Sequence, residues 1–219
     1  MQKQGAQAKI AVIGGGSWAT ALVKIFSENN VKINWWLRSR EDVDHIRLHQ
    51  NNPNYLSEIQ INLKKVKPTT DLKKAVEDSS IVVLAVPAAF IKEVLLKLNP
   101  QDFKDKIVVS AIKGMIPEDN VLVTEFVSKN YKVSSQCIGV IAGPCHSEEI
   151  AMEKRSYLTI ASNDQKNGQE VADLLNCRYV KATVIRDLAG IEYAAIMKNI
   201  IAIACGIARG LNYLSPTRG

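Results

Sequence analysis

Short runs of consecutive apolar residues alternate along this chain with segments whose apolar positions recur every three or four residues. Ile10–Ile13, Ile81–Val86, Ile107–Ala111 and Ile138–Ala142 are such runs, with only Ser110 and Gly139 as small exceptions, and Val31–Leu37 is a further strand interrupted by Lys32 and Asn34. Continuous Val/Ile runs predict strands buried on both faces, and therefore a largely parallel sheet covered by helices. In the first intervening segment, Trp18, Ala21, Leu22, Ile25 and Phe26 fall at i, i+3, i+4, i+7 and i+8, one face of a helix over Trp18–Ser27. Further helices are expected over Glu41–Gln50, Asp71–Glu77, Phe90–Leu98 and Glu118–Ser128. Asn51–Gln60, with Pro53 and several Asn, reads as a loop. A strand–helix–strand pass (Leu158–Ala161, Gln169–Leu175, Tyr179–Val180) then leads into one long helix from about Asp187 to Arg209. The expected architecture is doubly wound α/β.

Composition narrows the class. The 219 residues are 47% hydrophobic and 23% charged, as in a globular protein with a sizeable core. The formal charge is +6, but the lysines are spread through Lys64-Lys65, Lys73-Lys74, Lys104, Lys106 and Lys129 without a dense run. No nucleic-acid motif accompanies them, so no nucleic-acid partner is expected. Four cysteines (Cys137, Cys145, Cys177, Cys205) form no CxxC pair, and with three histidines they give no metal-ligand spacing. Reduced thiols in a cytoplasm are the expectation. The first residues lack the apolar core of a signal peptide and no uninterrupted apolar run reaches membrane-spanning length, so no membrane partner is expected.

Candidate chemistry begins where the first strand meets the first helix, at Gly14-Gly15-Gly16-Ser17-Trp18-Ala19. Gly14 permits a tight turn, Gly16 lets the backbone approach a pyrophosphate, and Ala19 is small enough for helix and strand to pack closely. The helix that follows offers its free N–H groups to phosphates. This is a dinucleotide fingerprint in a Rossmann-type setting. An ordinary glycine-rich loop is the alternative. In NAD-preferring folds an acidic residue about 20 positions on bonds the ribose 2′-OH. Here the second strand ends Leu37-Arg38-Ser39-Arg40, with no acid at its tip. Guanidinium and hydroxyl suit a 2′-phosphate, so NADP(H) is favoured, with NAD(H) also admitted.

Three more segments could carry chemistry. Ser110–Gly114 delivers Lys113 to the carboxyl edge of the sheet. Gly143-Pro144-Cys145-His146-Ser147 leaves another strand at that edge with small polar residues. His146 by itself more often caps or packs than catalyses. The stretch Gly190–Ala204 is apolar almost all round, as in a buried helix, and is interrupted by Lys198-Asn199. A buried Lys198 would have a lowered pKa and could act as a base near neutral pH. A lysine whose stem lies on apolar surface with its head in water fits equally well.

These segments together resemble the bacterial NAD(P)-dependent glycerol-3-phosphate dehydrogenases. The family's Gly-x-Gly-Ser-Trp-Gly-Thr-Ala is similar to Gly14–Ala21, and its Asn…Tyr-Leu-Pro to Asn54-Tyr55-Leu56-Ser57. Its Ala-Val-Pro-Ser turn is similar to Ala85–Ala88 and its Lys-Gly turn to Lys113-Gly114. Its Ser-Gly-Pro loop resembles Ala142–Glu149, and its Ala-x-Lys-Asn-[Val/Ile]-Ile-Ala helix resembles Ala195–Ala202. The likeness runs in order from about residue 9 to 212. It implies that Gly14, Gly16, Ser17, Trp18, Arg38, Tyr55, Lys113 and Ser147 contact the nucleotide. Lys113, Gly143, Cys145 and Lys198 would border a small phosphorylated substrate, glycerol 3-phosphate or dihydroxyacetone phosphate. Lys198 would be the proton-transfer residue.

The implied organisation is a tail over 1–8, a nucleotide-binding domain over 9–186, and over 187–219 the first long helix of a helical substrate domain. Members of the family continue beyond that helix, so nucleotide binding is expected to be more robust than turnover in a chain of this length. Two alternatives remain, a non-catalytic NADP(H)-binding module and a hydroxyacid or ketopantoate-type reductase, and a homodimer is the assembly considered.

Overall fold

The computed structural model describes residues 8–211. Along the chain come β1 (Lys9–Ile13), α1 (Ser17–Glu28), β2 (Lys32–Trp36), α2 (Arg40–His49) and β3 (Val66–Thr69). Then follow α3 (Leu72–Glu77), β4 (Ile81–Leu84), α4 (Ala88–Leu95), β5 (Ile107–Ser110), and a small hairpin of β6 (Met115–Ile116) with β7 (Val121–Leu122). The chain goes on through α5 (Val123–Tyr131), β8 (Ile138–Ala142), α6 (Ser147–Ala151), β9 (Ser156–Ser162), α7 (Gln165–Leu175), β10 (Val180–Ile185) and α8 (Leu188–Gly210).

The main sheet has the order β10-β9-β8-β5-β4-β1-β2-β3. Its six strands from β3 to β8 are parallel, while β9 pairs antiparallel with β8 and β10 follows β9. Continuous apolar runs belong in such a sheet because neighbouring residues of one strand serve opposite faces. Ile10 and Val12 of β1 join one core with Ile81 and Val83 of β4, while Ala11, Ile13, Val82 and Leu84 join the other. Each fully buried Ile, Leu or Val contributes roughly 1.5–3 kcal/mol of transfer free energy. The Rossmann-type α/β fold agrees with the sequence pattern.

Several element expectations need correction. The segment 66–69 is a strand that the pattern missed, because Lys67 and Pro68 break its apolar run at the sheet's edge, where proline is tolerated. The expected helix over 118–128 starts five residues later. Met115–Leu122 turns back on itself as β6–β7 through Asn120 in the left-handed region, and the helix is Val123–Tyr131. Residues 147–151 form an unanticipated short helix, capped by the His146–Glu149 capping box. The largest correction concerns α8. Only Glu192 of that helix is buried, and Tyr193, Met197, Ile200, Ile201 and Ile203 are about half exposed or more. Its all-round apolar pattern was read as burial, but the described residues pack on it along a narrow stripe. By length and hydropathy alone α8 could cross a membrane. Residues 1–7 of the expected tail, and 212–219, lie outside the described residues.

Candidate functional site

The register of the parallel strands brings five strand ends together. Ile13 pairs with both Trp36 and Leu84, Leu84 with Ser110, and Ser110 with Val140. The loops leaving these ends carry the glycine turn, Arg38, Pro87, Lys113 and the Gly143–Ser147 segment to one edge of the sheet, where open α/β folds bind ligands.

The glycine turn is held by its carbonyls. The Trp35 indole Nε1 donates to Gly14 O at 2.7 Å, and Asn52 Nδ2 donates to Gly15 O at 3.0 Å. Gly16 O accepts from the Thr20 amide at 2.9 Å and hydroxyl at 3.0 Å. In a trans peptide the carbonyl and the next N–H point in opposite directions. Pinning three successive carbonyls therefore aims the amides of Gly15, Gly16 and Ser17 the other way, at the start of α1. Gly16 caps α1 without a side chain, and no acidic residue sits in its first turn, so the positive helix end is free for an anion. Gly14 has φ +137°, and a Cβ there would lie 2.3 Å from Ala85 O. At Gly16 a Cβ would meet nothing within 4 Å.

Two neighbouring cavities open from this turn. The first, about 460 Å³, has Arg38, Ser39, Asp42, Tyr55 and Phe90 in its wall. The second, about 430 Å³, is walled by Ser17, Trp18, Tyr55, Ile112, Lys113 and Ser147. Gly16, Tyr55, Val86 and Pro87 belong to both, so the pair forms an elongated cleft bent over the glycine turn. The structure thus gathers Gly14, Gly16, Ser17, Trp18, Arg38, Tyr55, Lys113 and Ser147 around one cleft. A buried Trp18 Nε1 in its wall has no hydrogen-bond partner. A dinucleotide, with phosphates at the turn and a base at either end, fits these residues.

Of the two lysines, Lys113 is in the wall of the second cavity and Lys198 is not. Lys113 Nζ stands 5.2 Å over the Trp18 ring. Its pKa is lowered first by desolvation and then by the Lys198 charge, against a smaller opposing effect of Cys145. Cys145 is buried, and burial raises its thiol pKa, with the Lys113 charge lowering it, Glu149 raising it and Lys198 lowering it by lesser amounts. Lys113, Lys198 and Cys145 therefore share one electrostatic neighbourhood, suited to a small anion. Lys198 itself is exposed on α8, so the buried-lysine alternative is set aside for a head group in solvent. Gly143 is close-packed: a Cβ there would lie 2.5 Å from Tyr157 O. His146 is exposed and caps α6.

Two residues of this region were missed by sequence reasoning. Asn52 looked like one more turn-former in a loop rich in Asn. Its target, the glycine turn, is 37 positions away and has no local signal. Glu192 is buried and accepts hydrogen bonds from the Thr124 amide and hydroxyl, fixing α8 to the start of α5. Burial is the largest influence on its carboxyl and raises its pKa. A carboxylate inside an otherwise apolar stretch was the available signal.

Comparison with known proteins decides the family. A model described as the N-terminus of NAD-dependent glycerol-3-phosphate dehydrogenase matches residues 9–168, and the corresponding C-terminus model matches 187–219. The chain belongs to this family. The glycerol-3-phosphate dehydrogenase (NAD(P)+) of an Exiguobacterium species is 35% identical over 207 residues, covering 94% of this chain and 60% of the relative. That of Macrococcus caseolyticus is 32% identical over 206 residues, covering 94% and 62%. The crystal structure of the Coxiella burnetii glycerol-3-phosphate dehydrogenase superposes with a TM-score of 0.87 at 26% identity, covering 95% of this chain and 63% of that one. The chain therefore spans about three fifths of the length of these dehydrogenases.

Proposed function

We propose that the chain binds NAD(P)(H) along the bent cleft and supplies the lysines of a glycerol-3-phosphate dehydrogenase, interconverting sn-glycerol 3-phosphate and dihydroxyacetone phosphate for glycerophospholipid precursors. The observation that carries this reading is the set of three pinned glycine carbonyls, which leaves adjacent amides and a helix end facing the cleft. Gly14, Gly16 and Ser17 would hold the pyrophosphate, and Trp18, Lys113 and Ser147 the nicotinamide end. Tyr55 would stand between the two halves. Arg38 would meet the adenosine ribose, and its charge favours NADP(H) over NAD(H). When bound, the nicotinamide supplies hydride exchange with substrate C2.

The chain's own contribution is electrostatics and a proton. Lys113 and Lys198 would attract the substrate phosphate and stabilise charge on the C2 oxygen, beside Gly143 and Cys145. Lys198 would donate a proton to that oxygen during ketone reduction and accept it during alcohol oxidation. The domain division at 186/187 is part of this reading. It is supported by the Asp187 cap, which opens α8 directly after β10. The apolar surface of α8 would be covered by further polypeptide, from this chain's family architecture or from a second copy. The four free cysteines suit a cytoplasmic setting.

Calorimetric titration with NADPH and NADH tests the cleft. Oxidation of NADPH on adding dihydroxyacetone phosphate, compared with hydroxyacid precursors, tests the reaction. The exposed position of Lys198 favours a second reading, in which the chain binds nucleotide without turning over. Tight NADPH binding with no turnover above buffer would select it.

A further inference from the structure

The strongest unassigned feature near the cleft is a single buried amide. Asn52 is 1% exposed, and burial of a polar side chain is tolerated only when its hydrogen bonds are made. All four are made. Its Nδ2 donates to Gly15 O at 3.0 Å and to Thr20 Oγ1 at 2.8 Å. Its Oδ1 accepts from the amides of Asn54 at 2.9 Å and Tyr55 at 3.2 Å. One side chain thus ties together the glycine turn, the first helix and the loop that carries Tyr55.

The residue type follows from the geometry. Aspartate lacks the two donors, serine and threonine have one each, and glutamine adds a methylene in a packed site. Each bond has a consequence at the cleft. The grip on Gly15 O fixes the plane of the Gly15–Gly16 peptide, and hence the direction of the Gly16 amide. The grip on the Tyr55 amide holds that residue where it borders both cavities. Asn54 extends the tie, donating to Asp42 Oδ1 at 3.0 Å on α2.

We propose that Asn52 is a positioning residue that sets the phosphate-facing amides and the Tyr55 loop in their nucleotide-binding arrangement before nucleotide arrives. The inference rests on the cleft being a dinucleotide site. With one loop and one turn locked by the same group, losing it divides the protein between competent and incompetent arrangements, and apparent affinity falls with the competent fraction.

The test has two arms, both on the full chain. In the wild type without nucleotide, amide hydrogen exchange at Asn54 and Tyr55 should be slowed about a hundredfold or more relative to an open loop. Adding NADPH should change those rates little. Exchange at open-loop rates until NADPH is added would overturn the proposal without any variant. In the second arm, calorimetric Kd values for NADPH are compared for wild type, Asn52→Ala, Asn52→Leu, Tyr55→Ala and the double variant Asn52→Ala/Tyr55→Ala. Each Asn52 variant should bind about tenfold or more weakly. Tyr55→Ala should weaken binding less in the Asn52→Ala background than in the wild type, since its loop is already released. Equal factors in the two backgrounds, or unchanged affinity in Asn52→Leu, would refute the positioning role. Failure of the wild type to bind either NADPH or NADH would overturn the dinucleotide reading itself, and the inference with it.

Discussion

Gly14 and Gly16 stand two residues apart, yet substituting each by alanine should produce opposite results. At Gly14 the backbone has φ +137°, and a new Cβ would sit 2.3 Å from the Ala85 carbonyl oxygen. The side chain would be strained whatever space it found, at about 1–3 kcal/mol. Separating β1 from the turn after β4 would add about 1–3 kcal/mol of overpacking. The expected loss is therefore about 2–6 kcal/mol, and each kcal/mol lowers Tm by roughly 2–4 °C in a chain of this size. At Gly16 the backbone is extended, with φ −79°, and nothing lies within 4 Å of the new methyl. Gly16→Ala should change stability by no more than about 1 kcal/mol, because the unfolded chain's lost freedom is offset by alanine being a poorer cap for α1. The space it fills is the space a pyrophosphate needs, so NADPH affinity should fall about tenfold or more. Calorimetric Tm and NADPH titration on the two variants decide the matter. A Gly16→Ala protein that binds NADPH like the wild type would refute the placement of the phosphates, and a thermally unaffected Gly14→Ala would refute the steric argument.

Arg38→Ala should weaken NADPH by about tenfold and leave NADH within about twofold, because only the former carries a 2′-phosphate; equal losses would remove the basis for preferring NADP(H). Lys198→Met should reduce any turnover by about 10²–10⁴ with NADPH affinity little changed, and should raise the Lys113 pKa by removing a neighbouring positive charge. The pH dependence of substrate binding, moved upward in the variant, would report it. Glu192→Gln should keep the Thr124 amide bond at Oε1, with Nε2 now donating to the Thr124 hydroxyl instead of an oxygen accepting from it, and become more stable than the wild type as pH rises. Burial raises the Glu192 carboxyl above its ordinary 4.5, so the folded state holds that proton more tightly and its stabilisation is lost on going to neutral pH. Urea midpoints at about pH 4 and pH 8 should show the gap opening only at the higher pH. Thiol labelling should reach exposed Cys205 well before buried Cys145, whose thiol is held up by desolvation.

The sheet was legible where the physics is local. Apolar runs such as Ile81–Leu84 stand for strands because a doubly covered sheet has no wet face, and the helix over 17–28 follows from its 3.6-residue period. The glycine turn announced itself by its place between strand and helix. What could not be read depends on contacts distant in sequence or on open surface. Val66–Thr69 is a strand only because β2 lies beside it, and nothing local marks Asn52 as the partner of Gly15. The apolar α8 shows the reverse failure: composition reports what a helix would prefer to bury, and the described residues cover only part of it. Proximity of Lys113, Cys145 and Lys198 came from likeness to a family; their mutual electrostatic influence came from the fold.

All three tryptophans of the chain are at the glycine turn. Trp18 lines the second cavity, Trp35 donates to Gly14 O, and Trp36 accepts from the Gly14 amide while its indole holds Thr70 O. Intrinsic indole emission from this protein therefore comes from one corner. It can report ligand entry without an attached dye. For the same reason it is a poor witness to global unfolding: a melt followed by indole light records the loosening of the turn, and the far strands β9 and β10, with no tryptophan, could separate earlier or later in the dark.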